Sequence, residues 1–310
     1  MITNPNVKIN LGLNVLRRRE DGFHDLETLF VPYFGIHDNL EIVLGDDYSR
    51  TSAMLFSKYG SDDVSQGSVQ PEGVFGVGTE ESYAPKIVQA ISEDGSLMIT
   101  IAREDGVDWD PLSDLTAKAY FILAADFKMP PVKIFLEKLS PVGAGLGGGS
   151  ADAAFALKML NELCGLGLSE QQLASYASRL GSDCAFFIYN RPMFGEGRGE
   201  VLSEFSLPAL SGYSGGEDLY EIQVITPAGI AVSTKDAYSG IRPVLPEVPL
   251  KEVLSRKVEE WDGLLVNDFE ETVFAKYPAL AAIKKSLYDS GAVYASMSGS
   301  GSALFALYRK

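Results

Sequence analysis

The residues with the most evident chemical potential form a glycine-rich segment near the middle of the chain, Pro141-Val-Gly-Ala-Gly-Leu-Gly-Gly-Gly-Ser-Ala151. Glycine has no Cβ and tolerates positive φ, so the N–H groups of successive residues can converge on one anion. Helix-forming residues follow directly, and the N-terminus of a helix adds a partial positive charge. The segment therefore predicts a cradle for the phosphates of a nucleotide.

Two common phosphate-binding motifs do not describe this cradle. The Walker motif ends in a lysine followed by serine or threonine, and residues 145–150 contain no lysine. The dinucleotide fingerprint needs a direct turn from strand to helix, which Pro141 interrupts after the predicted strand at 133–139. Some glycine-rich segments are only surface loops, and the segment by itself leaves that alternative open.

The cradle must be held by strands and helices whose patterns are visible along the chain. Residues 7–15 alternate between apolar residues and a second set that includes Lys8 and Asn10, which predicts a strand with a polar face. Ser169 and Gln172 form a capping box that begins a helix ending at Gly181. Further strands are predicted at 26–34, 39–44, 219–226 and 302–308, and further helices at 115–123, 153–164, 249–256 and 278–290.

The length of 310 residues predicts two domains, and the order of the predicted elements indicates that they mix helices and strands. The stretch 207–216 is rich in Ser, Gly and Pro, and the pattern changes after it. We therefore predict an α+β fold with an N-terminal domain at 1–207 and a C-terminal domain at 217–310. Residues 45–95 lack a regular pattern and predict loops with short strands.

Charge and cysteine content narrow the possible partners and compartment. The 310 residues include 42 acidic and 26 basic ones, and the net charge of −16 disfavours nucleic acid or an anionic membrane as partner. Cys164 and Cys184 have no metal-binding spacing, so we expect reduced thiols and a cytosolic location. No apolar run is long enough for a membrane helix. An anionic substrate must therefore be bound by local positive groups.

Three features together resemble the GHMP kinase superfamily: a lysine on the N-terminal strand, the cradle, and the Ser-Gly-Ser-Gly loop at 298–301. Within it, the motifs at 8–11, 19–30, 180–183 and 266–270 resemble the kinases that phosphorylate the 2-hydroxyl of a cytidyl-diphosphate methylerythritol. The resemblance implies ATP as co-substrate, a left-handed βαβ crossover in the N-terminal domain and a ferredoxin-like C-terminal domain. It assigns ATP binding to Pro141, Gly143, Gly145, Leu146, Gly147, Gly148, Gly149, Ser150 and Ala151.

The same resemblance implies roles for a lysine and an aspartate. Phosphoryl transfer requires positioned reactants and neutralised charge. Lys8 would stabilise the forming alkoxide, Asp183 would accept the hydroxyl proton, and Asn10 would contact the acceptor. Considered alone, Lys8 suits a solvated strand position and Asp183 suits a helix cap. Magnesium would accompany ATP, with Ser150 as a candidate ligand and Asp183 as a second.

The resemblance also implies how the cytosine base is recognised. Phe23 and Tyr238 match the family's aromatic pair that sandwiches the base, and His24 matches the histidine that hydrogen-bonds its edge. Considered alone, Tyr238 also suits a half-buried place on a helix. Phe23 stands where tyrosine is commoner in the family, and Asp114 stands where asparagine is commoner, which changes hydrogen bonding near the adenine. A mevalonate- or homoserine-type kinase, a diphosphomevalonate decarboxylase and a non-catalytic nucleotide-binding protein are the alternatives. Both monomer and homodimer stay open.

Overall fold

The structure is a computed structural model, and it describes residues 1–45, 47–60, 84–207, 210 and 219–310. These residues form three β-sheets and nine α-helices, which confirms the predicted α+β class. Part of the loop region predicted at 45–95 lies outside the described residues, as does most of the Ser- and Gly-rich stretch after 207. The domain boundary placed there stays a prediction.

In chain order, the strands are β1 (Ile2–Thr3), β2 (Asn6–Arg18), β3 (His24–His37), β4 (Asn39–Leu44), β5 (Ile87–Ile91), β6 (Leu97–Arg103), β7 (Val132–Lys138), β8 (Met193–Glu196), β9 (Val201–Glu204), β10 (Tyr220–Ile225), β11 (Tyr294–Met297) and β12 (Leu304–Arg309). The helices are α1 (Thr51–Tyr59), α2 (Leu115–Ala124), α3 (Gly148–Leu163), α4 (Glu170–Leu180), α5 (Cys184–Tyr189), α6 (Thr234–Ser239), α7 (Leu250–Leu254), α8 (Phe269–Lys276) and α9 (Pro278–Asp289).

The first sheet has five strands in the order β1-β4-β7-β6-β5. Strands β6 and β7 are parallel and are connected through α2, so the three form a βαβ unit. Because side chains alternate along a strand, Ile99 and Ile101 join the core shared with α2 and α3, while Ala102 packs with Leu55 of α1. Both faces of this sheet are therefore covered. The left-handed crossover stays a prediction.

The second sheet has four strands in the order β2-β3-β8-β9 and positions the polar residues of β2. Strand β2 pairs with β3 along its length, with a register shift between Leu11 and Leu13. Gly12 lies in this shift with φ +68°, and a Cβ there would approach the side chains of Leu250 and Leu265 to 2.6 Å. The bulge divides the predicted apolar face of β2 between two hydrophobic clusters.

The third sheet is antiparallel, in the order β10-β12-β11, and packs against the C-terminal helices. Phe269 and Val273 of α8 and Leu280 of α9 contribute to the same core as Ala295 and Leu304. A parallel bridge between Leu13 and Asn267 connects this region to β2. The ferredoxin-like arrangement stays a prediction.

Several elements differ from the sequence predictions. Gly35 does not end β3, since the strand continues to His37, although residues 34–36 lie in an irregularity of the pairing with β2 between Tyr33 and His37. Helix α1 lies where loops and short strands were expected, and it is anchored by the i, i+4 pair Leu55 and Tyr59. The β8–β9 hairpin, β11 and α8 were not predicted, because strands of four residues and a helix of eight carry little periodicity.

Two further sequence expectations concern thiols and membranes. Cys184 is buried and Cys164 half-buried, and neither forms a disulfide within the described chain. Burial raises the pKa of the Cys184 thiol to about 12, so this thiol is protonated at neutral pH. The described helices include none with the length and apolar character to span a membrane.

Candidate active site

The glycine-rich segment leads from the end of β7 into α3. Gly143, Gly145 and Gly147 all have positive φ, of 73°, 75° and 73°, a backbone region that residues with a Cβ rarely adopt. Gly147 directly precedes the first residue of α3, so the unpaired N–H groups of that helix begin at the loop. The three glycines line a cavity of about 400 Å³.

The remaining predicted cradle residues occupy other positions. Leu146 and Ala151 are buried in hydrophobic clusters, so only their backbone atoms could contact a ligand. Gly148 is also buried. It is packed closely against Ser140, because a Cβ on it would lie 2.3 Å from Ser140 Oγ. The predicted residues that do not line the cavity are Pro141, Leu146, Gly148, Gly149, Ser150 and Ala151.

Lys8 is buried on β2, with its side chain only 3% exposed. Its Nζ donates hydrogen bonds to Asn10 Oδ1 at 2.5 Å and to the Gly145 carbonyl oxygen at 2.9 Å, and lies 3.4 Å from Asp183 Oδ2. Burial lowers the pKa of Lys8, and the Asp183 carboxylate partly offsets this effect. The structure therefore excludes a solvated lysine and places the ammonium between the cradle and Asp183.

Asn10 belongs to a buried chain of hydrogen bonds that orients Lys8. Its Nδ2 donates to Thr28 Oγ1 at 3.0 Å, and the Thr28 hydroxyl donates to the Gly12 carbonyl oxygen at 2.5 Å. The amide is thereby turned so that its Oδ1 accepts from Lys8. Thr28, which sequence reasoning missed, also lines the cavity.

Asp183 lies between α4 and α5 and occupies the N-cap position of α5. Its side chain makes no capping hydrogen bond to that helix. The carboxylate instead points toward Lys8 and is 28% exposed, in the wall of the same cavity. A helix cap therefore does not account for this aspartate, and its oxygens are accessible to a ligand in the cavity.

The serine- and glycine-rich loop before β12 packs directly on the cradle. Ser298 Oγ donates to the Gly145 carbonyl oxygen at 3.1 Å, and Gly299 and Ser300 line the cavity. Asn267 holds this loop, because its Nδ2 donates to the carbonyl oxygens of Met297 and Gly299 at 2.8 and 2.9 Å. The loop is thus part of the site. The sequence motif around Asn267 was recognised, but its role was not predicted.

The predicted aromatic residues meet in a second cavity of about 860 Å³, lined by Phe23, His24 and Tyr238. The His24 ring stacks on the Tyr238 ring with centroids 4.9 Å apart and planes 21° apart, and Phe23 is 53% exposed. The His24 ring therefore covers one face of Tyr238, and a base sandwiched between Phe23 and Tyr238 stays a prediction. Burial and, second, the charge of Arg18 lower the pKa of His24, which favours the neutral ring that can both donate and accept.

The two cavities adjoin each other. They share four lining residues: Ser182, Arg198, Thr234 and Tyr238. A ligand with an aromatic base in the larger cavity can therefore extend into the smaller one, where Lys8 and Asp183 lie. Two ends of one molecule would be recognised by different chemistry: stacking at one end and charge at the other.

Asp114 and Ser150 were expected to contact the nucleotide and its metal. Asp114 caps α2 by accepting from the Thr116 N–H at 2.9 Å, and its other oxygen accepts from Trp109 Nε1 at 3.1 Å. Among the described residues, no group of three or more His, Cys, Asp or Glu could hold a metal. Ser150 Oγ lies 3.9 Å from where a Gly181 Cβ would be, beside the junction that carries Asp183. A hydroxyl and a carboxylate suit Mg²⁺, which needs few protein ligands when phosphates supply the others.

A buried charge cluster lies behind the cradle. Lys138 Nζ at the end of β7 is 2.5 Å from both Asp38 Oδ2 and Asp152 Oδ2, and all three side chains are at most 4% exposed. Burial raises the pKa of Asp152 despite Lys138, whereas Lys138 and hydrogen bonds from Ser140 hold the pKa of Asp38 low against burial. The cluster joins the junction of β3 and β4 to the end of β7 and to α3, which lie on either side of the cradle.

Gly145 is the cradle position least able to carry a side chain. A Cβ there would lie 2.2 Å from the Ser298 carbonyl oxygen, and φ is +75°. We expect Gly145→Ala to push the serine-glycine loop off the cradle and to weaken ATP binding by roughly tenfold or more, since such strain costs about 1–3 kcal/mol. The dissociation constant for ATP, measured by calorimetry, checks this.

Gly143 provides the matched control. It has nearly the same φ, +73°, but apart from its chain neighbours no atom of the described residues lies within 4 Å of its Cβ position. Gly143→Ala therefore carries the backbone strain without the collision, and we expect a smaller loss of ATP affinity. Equal affinities for the two variants would contradict the packing of the loop on Gly145.

Comparison with known proteins agrees with this geometry. The GHMP kinases N terminal domain matches residues 114–191, and the GHMP kinases C terminal domain matches residues 250–310. The 4-diphosphocytidyl-2-C-methyl-D-erythritol kinase of Bacteroides fragilis is 42% identical over 308 residues, which cover 99% of this chain and 92% of that protein. The kinase of that name from Parabacteroides distasonis is 38% identical, over 100% of this chain and 92% of that protein.

Solved structures show the same fold. A crystal structure of 4-(cytidine 5'-diphospho)-2C-methyl-D-erythritol kinase is 27% identical, with a TM-score of 0.67, and covers 99% of this chain and 90% of that chain. A homoserine kinase from Cytophaga hutchinsonii, 16% identical with a TM-score of 0.60 over 99% of this chain and 86% of that one, shares the fold. The two-domain GHMP kinase fold implied by the sequence is thereby confirmed. The chain is a small-molecule kinase, and it belongs to the family of 4-diphosphocytidyl-2-C-methyl-D-erythritol kinases.

Proposed function

We propose that this protein transfers the γ-phosphoryl group of ATP to the 2-hydroxyl of 4-diphosphocytidyl-2-C-methyl-D-erythritol, giving the 2-phosphate and ADP. This reaction belongs to the non-mevalonate route to isoprenoid precursors. The observation that carries the proposal is that two adjoining cavities share four lining residues, with the Lys8–Asp183 pair in one cavity and the aromatic rings in the other. Mevalonate and homoserine have no base to occupy the aromatic end.

The reaction assigns a separate task to each charged residue. The acceptor oxygen forms a bond to the γ-phosphorus while the bond from that phosphorus to the β,γ-bridging oxygen breaks, and ADP leaves with the bond electrons. Asp183 receives the hydroxyl proton, and the Lys8 ammonium stabilises the negative charge that develops on the acceptor oxygen. Because the transition state is loose, positioning the hydroxyl matters as much as removing its proton.

ATP would lie with its phosphates at Gly143, Gly145 and Gly147, where the loop and the start of α3 present backbone N–H groups. Ser150 and Asp183 would hold Mg²⁺, which supplies charge neutralisation to the phosphates when bound. Lys8 donates to the Gly145 carbonyl oxygen, so the cradle and the lysine are positioned together.

The experiment that tests this proposal is ATP consumption by the purified protein with magnesium and different acceptors. The acceptors are the cytidyl-diphosphate methylerythritol, mevalonate, homoserine and none. Turnover with the cytidyl compound alone is the expected result. Turnover with mevalonate or homoserine would assign another GHMP kinase activity, and ATP binding without turnover on any acceptor would favour a non-catalytic nucleotide-binding protein.

Phe23 tests the recognition of the base. Stacking on an aromatic ring contributes about 1–3 kcal/mol per base, so Phe23→Ala should raise the KM for the cytidyl acceptor roughly 5- to 150-fold and leave the KM for ATP unchanged. Phe34 provides the control, since it is similarly exposed, at 58%, and lines neither cavity. Steady-state kinetics of Phe23→Ala and Phe34→Ala give the KM of each variant for the acceptor and for ATP. An acceptor KM that is unchanged in Phe23→Ala would remove Phe23 from the site.

A further inference from the structure

Arg198 lies in a sharply constrained turn at the junction of the two cavities. It sits between Gly197 and Gly199, which have φ of +70° and +105°, in the hairpin that joins β8 to β9. The Leu26 N–H donates to the Gly197 carbonyl oxygen at 2.7 Å and ties this turn to β3. The backbone that carries Arg198 is therefore held in place beside the cavities.

The charge of Arg198 is available to a ligand. Its guanidinium lies over the Phe23 ring, 5.0 Å from the centroid, and its Nε is 3.5 Å from Glu200 Oε1. Within the described chain, the guanidinium donates no hydrogen bond, and the side chain is 46% exposed. By contrast, Lys8, the other cation lining the smaller cavity among these residues, is already paired with Asn10, Gly145 and Asp183.

Its position matches the middle of the proposed substrate. Arg198 is the basic residue that lines both cavities in the described part of the chain. With the base in the larger cavity and the reacting hydroxyl beside Asp183, the diphosphate that connects them must pass this junction. A protein with a net charge of −16 needs a local cation to hold that anion.

We propose that the Arg198 guanidinium binds the diphosphate group of the acceptor substrate while its plane rests on Phe23. This inference rests on the proposed function for the identity of the acceptor. The planar guanidinium matches phosphate oxygens in a forked, two-bond geometry, and a ring can stack on its face at the same time. Arg198 thus sets the spacing between the base site and the reacting hydroxyl.

The proposal is tested by Arg198→Gln, which removes the positive charge. Arg198→Lys keeps the charge but cannot donate two parallel hydrogen bonds from one planar group. Loss of a charged hydrogen bond of this kind weakens affinity by about 10- to 100-fold, so we expect the KM for the acceptor to rise by that factor in Arg198→Gln. In Arg198→Lys we expect a smaller rise in this KM. The KM for ATP should not change. A rise in the KM for ATP instead would move Arg198 to the nucleotide phosphates and overturn the proposal, as would no change in either constant.

Arg191→Gln is the matched control. Its guanidinium also lies over an aromatic ring, 5.2 Å from the Tyr189 centroid, and its side chain is 40% exposed, but it lines neither cavity. We expect its kinetic constants to equal those of the wild type. A loss of acceptor affinity in Arg191→Gln equal to that in Arg198→Gln would overturn the specific role of Arg198.

A binding measurement separates this inference from the proposed function. Calorimetry compares cytidine diphosphate with cytidine on the wild type and on Arg198→Gln, without any turnover. We expect the diphosphate to bind the wild type more tightly and this preference to shrink at least about tenfold in Arg198→Gln. An undiminished preference in the variant would overturn the role of Arg198 even if the wild type phosphorylates the acceptor. Failure of the wild type to phosphorylate it would instead sink the proposed function alone.

Discussion

Replacing Asp183 with asparagine is expected to lower kcat for the cytidyl acceptor by about 10²- to 10⁴-fold, the usual contribution of a general base. The carboxylate lies 3.4 Å from Lys8 Nζ, makes no capping bond to α5 and faces the cavity, so its loss removes both the proton acceptor and the partner of the buried ammonium. Binding of ATP without magnesium should not weaken, because the cradle is unchanged. Steady-state kinetics and calorimetry with ATP measure the two quantities separately.

Two further variants sharpen this test. Asp183→Ala removes the hydrogen-bonding group as well as the charge, so a kcat for Asp183→Asn close to that of Asp183→Ala indicates proton acceptance, and a clearly higher one indicates orientation. Asp289→Asn is the control: Asp289 pairs with Lys285 at 2.7 Å on the exposed face of α9. A wild-type kcat in Asp183→Asn would refute the proposed role.

Lys138→Met is expected to destabilise the protein by about 3–5 kcal/mol, because it leaves two buried carboxylates without their cation. Asp38 and Asp152 both lie 2.5 Å from the Lys138 ammonium, and Asp152 Oδ1 has no hydrogen-bond partner among the described residues. The cluster also lies next to Gly148 at the start of α3. The midpoint and slope of urea denaturation give the change in the free energy of unfolding.

Lys285→Met controls for the loss of a lysine. The Lys285–Asp289 pair is exposed on a helix at i, i+4 spacing, and such pairs contribute only about 0.3–0.5 kcal/mol. A loss of stability in Lys138→Met no larger than in Lys285→Met would contradict the buried cluster. If Lys138→Met does not fold, Asp152→Asn supplies the measurement, since it keeps the volume and leaves Lys138 paired with Asp38.

Elements specified by neighbouring residues were predicted well from the sequence. The helix after the cradle begins at Gly148, and the capping box of Ser169 and Gln172 is present as predicted. Both depend on backbone propensities and hydrogen bonds within one turn. Prediction was poorer for elements that depend on contacts between distant residues. The β8–β9 hairpin was missed because its four-residue strands carry little periodicity, and Arg198 in its turn was missed with it.

The sequence by itself determined the α+β class, the phosphate cradle, the Lys8 and Asp183 motifs and the resemblance to the GHMP kinases, because these are properties of residue type and local spacing. Only the tertiary structure decided that the polar face of β2 is buried, that the loop at Ser298 packs on Gly145 from 153 residues away, and that Arg198 lies between the two cavities. These features depend on contacts between distant segments, whose residues carry no pattern until the core brings them together.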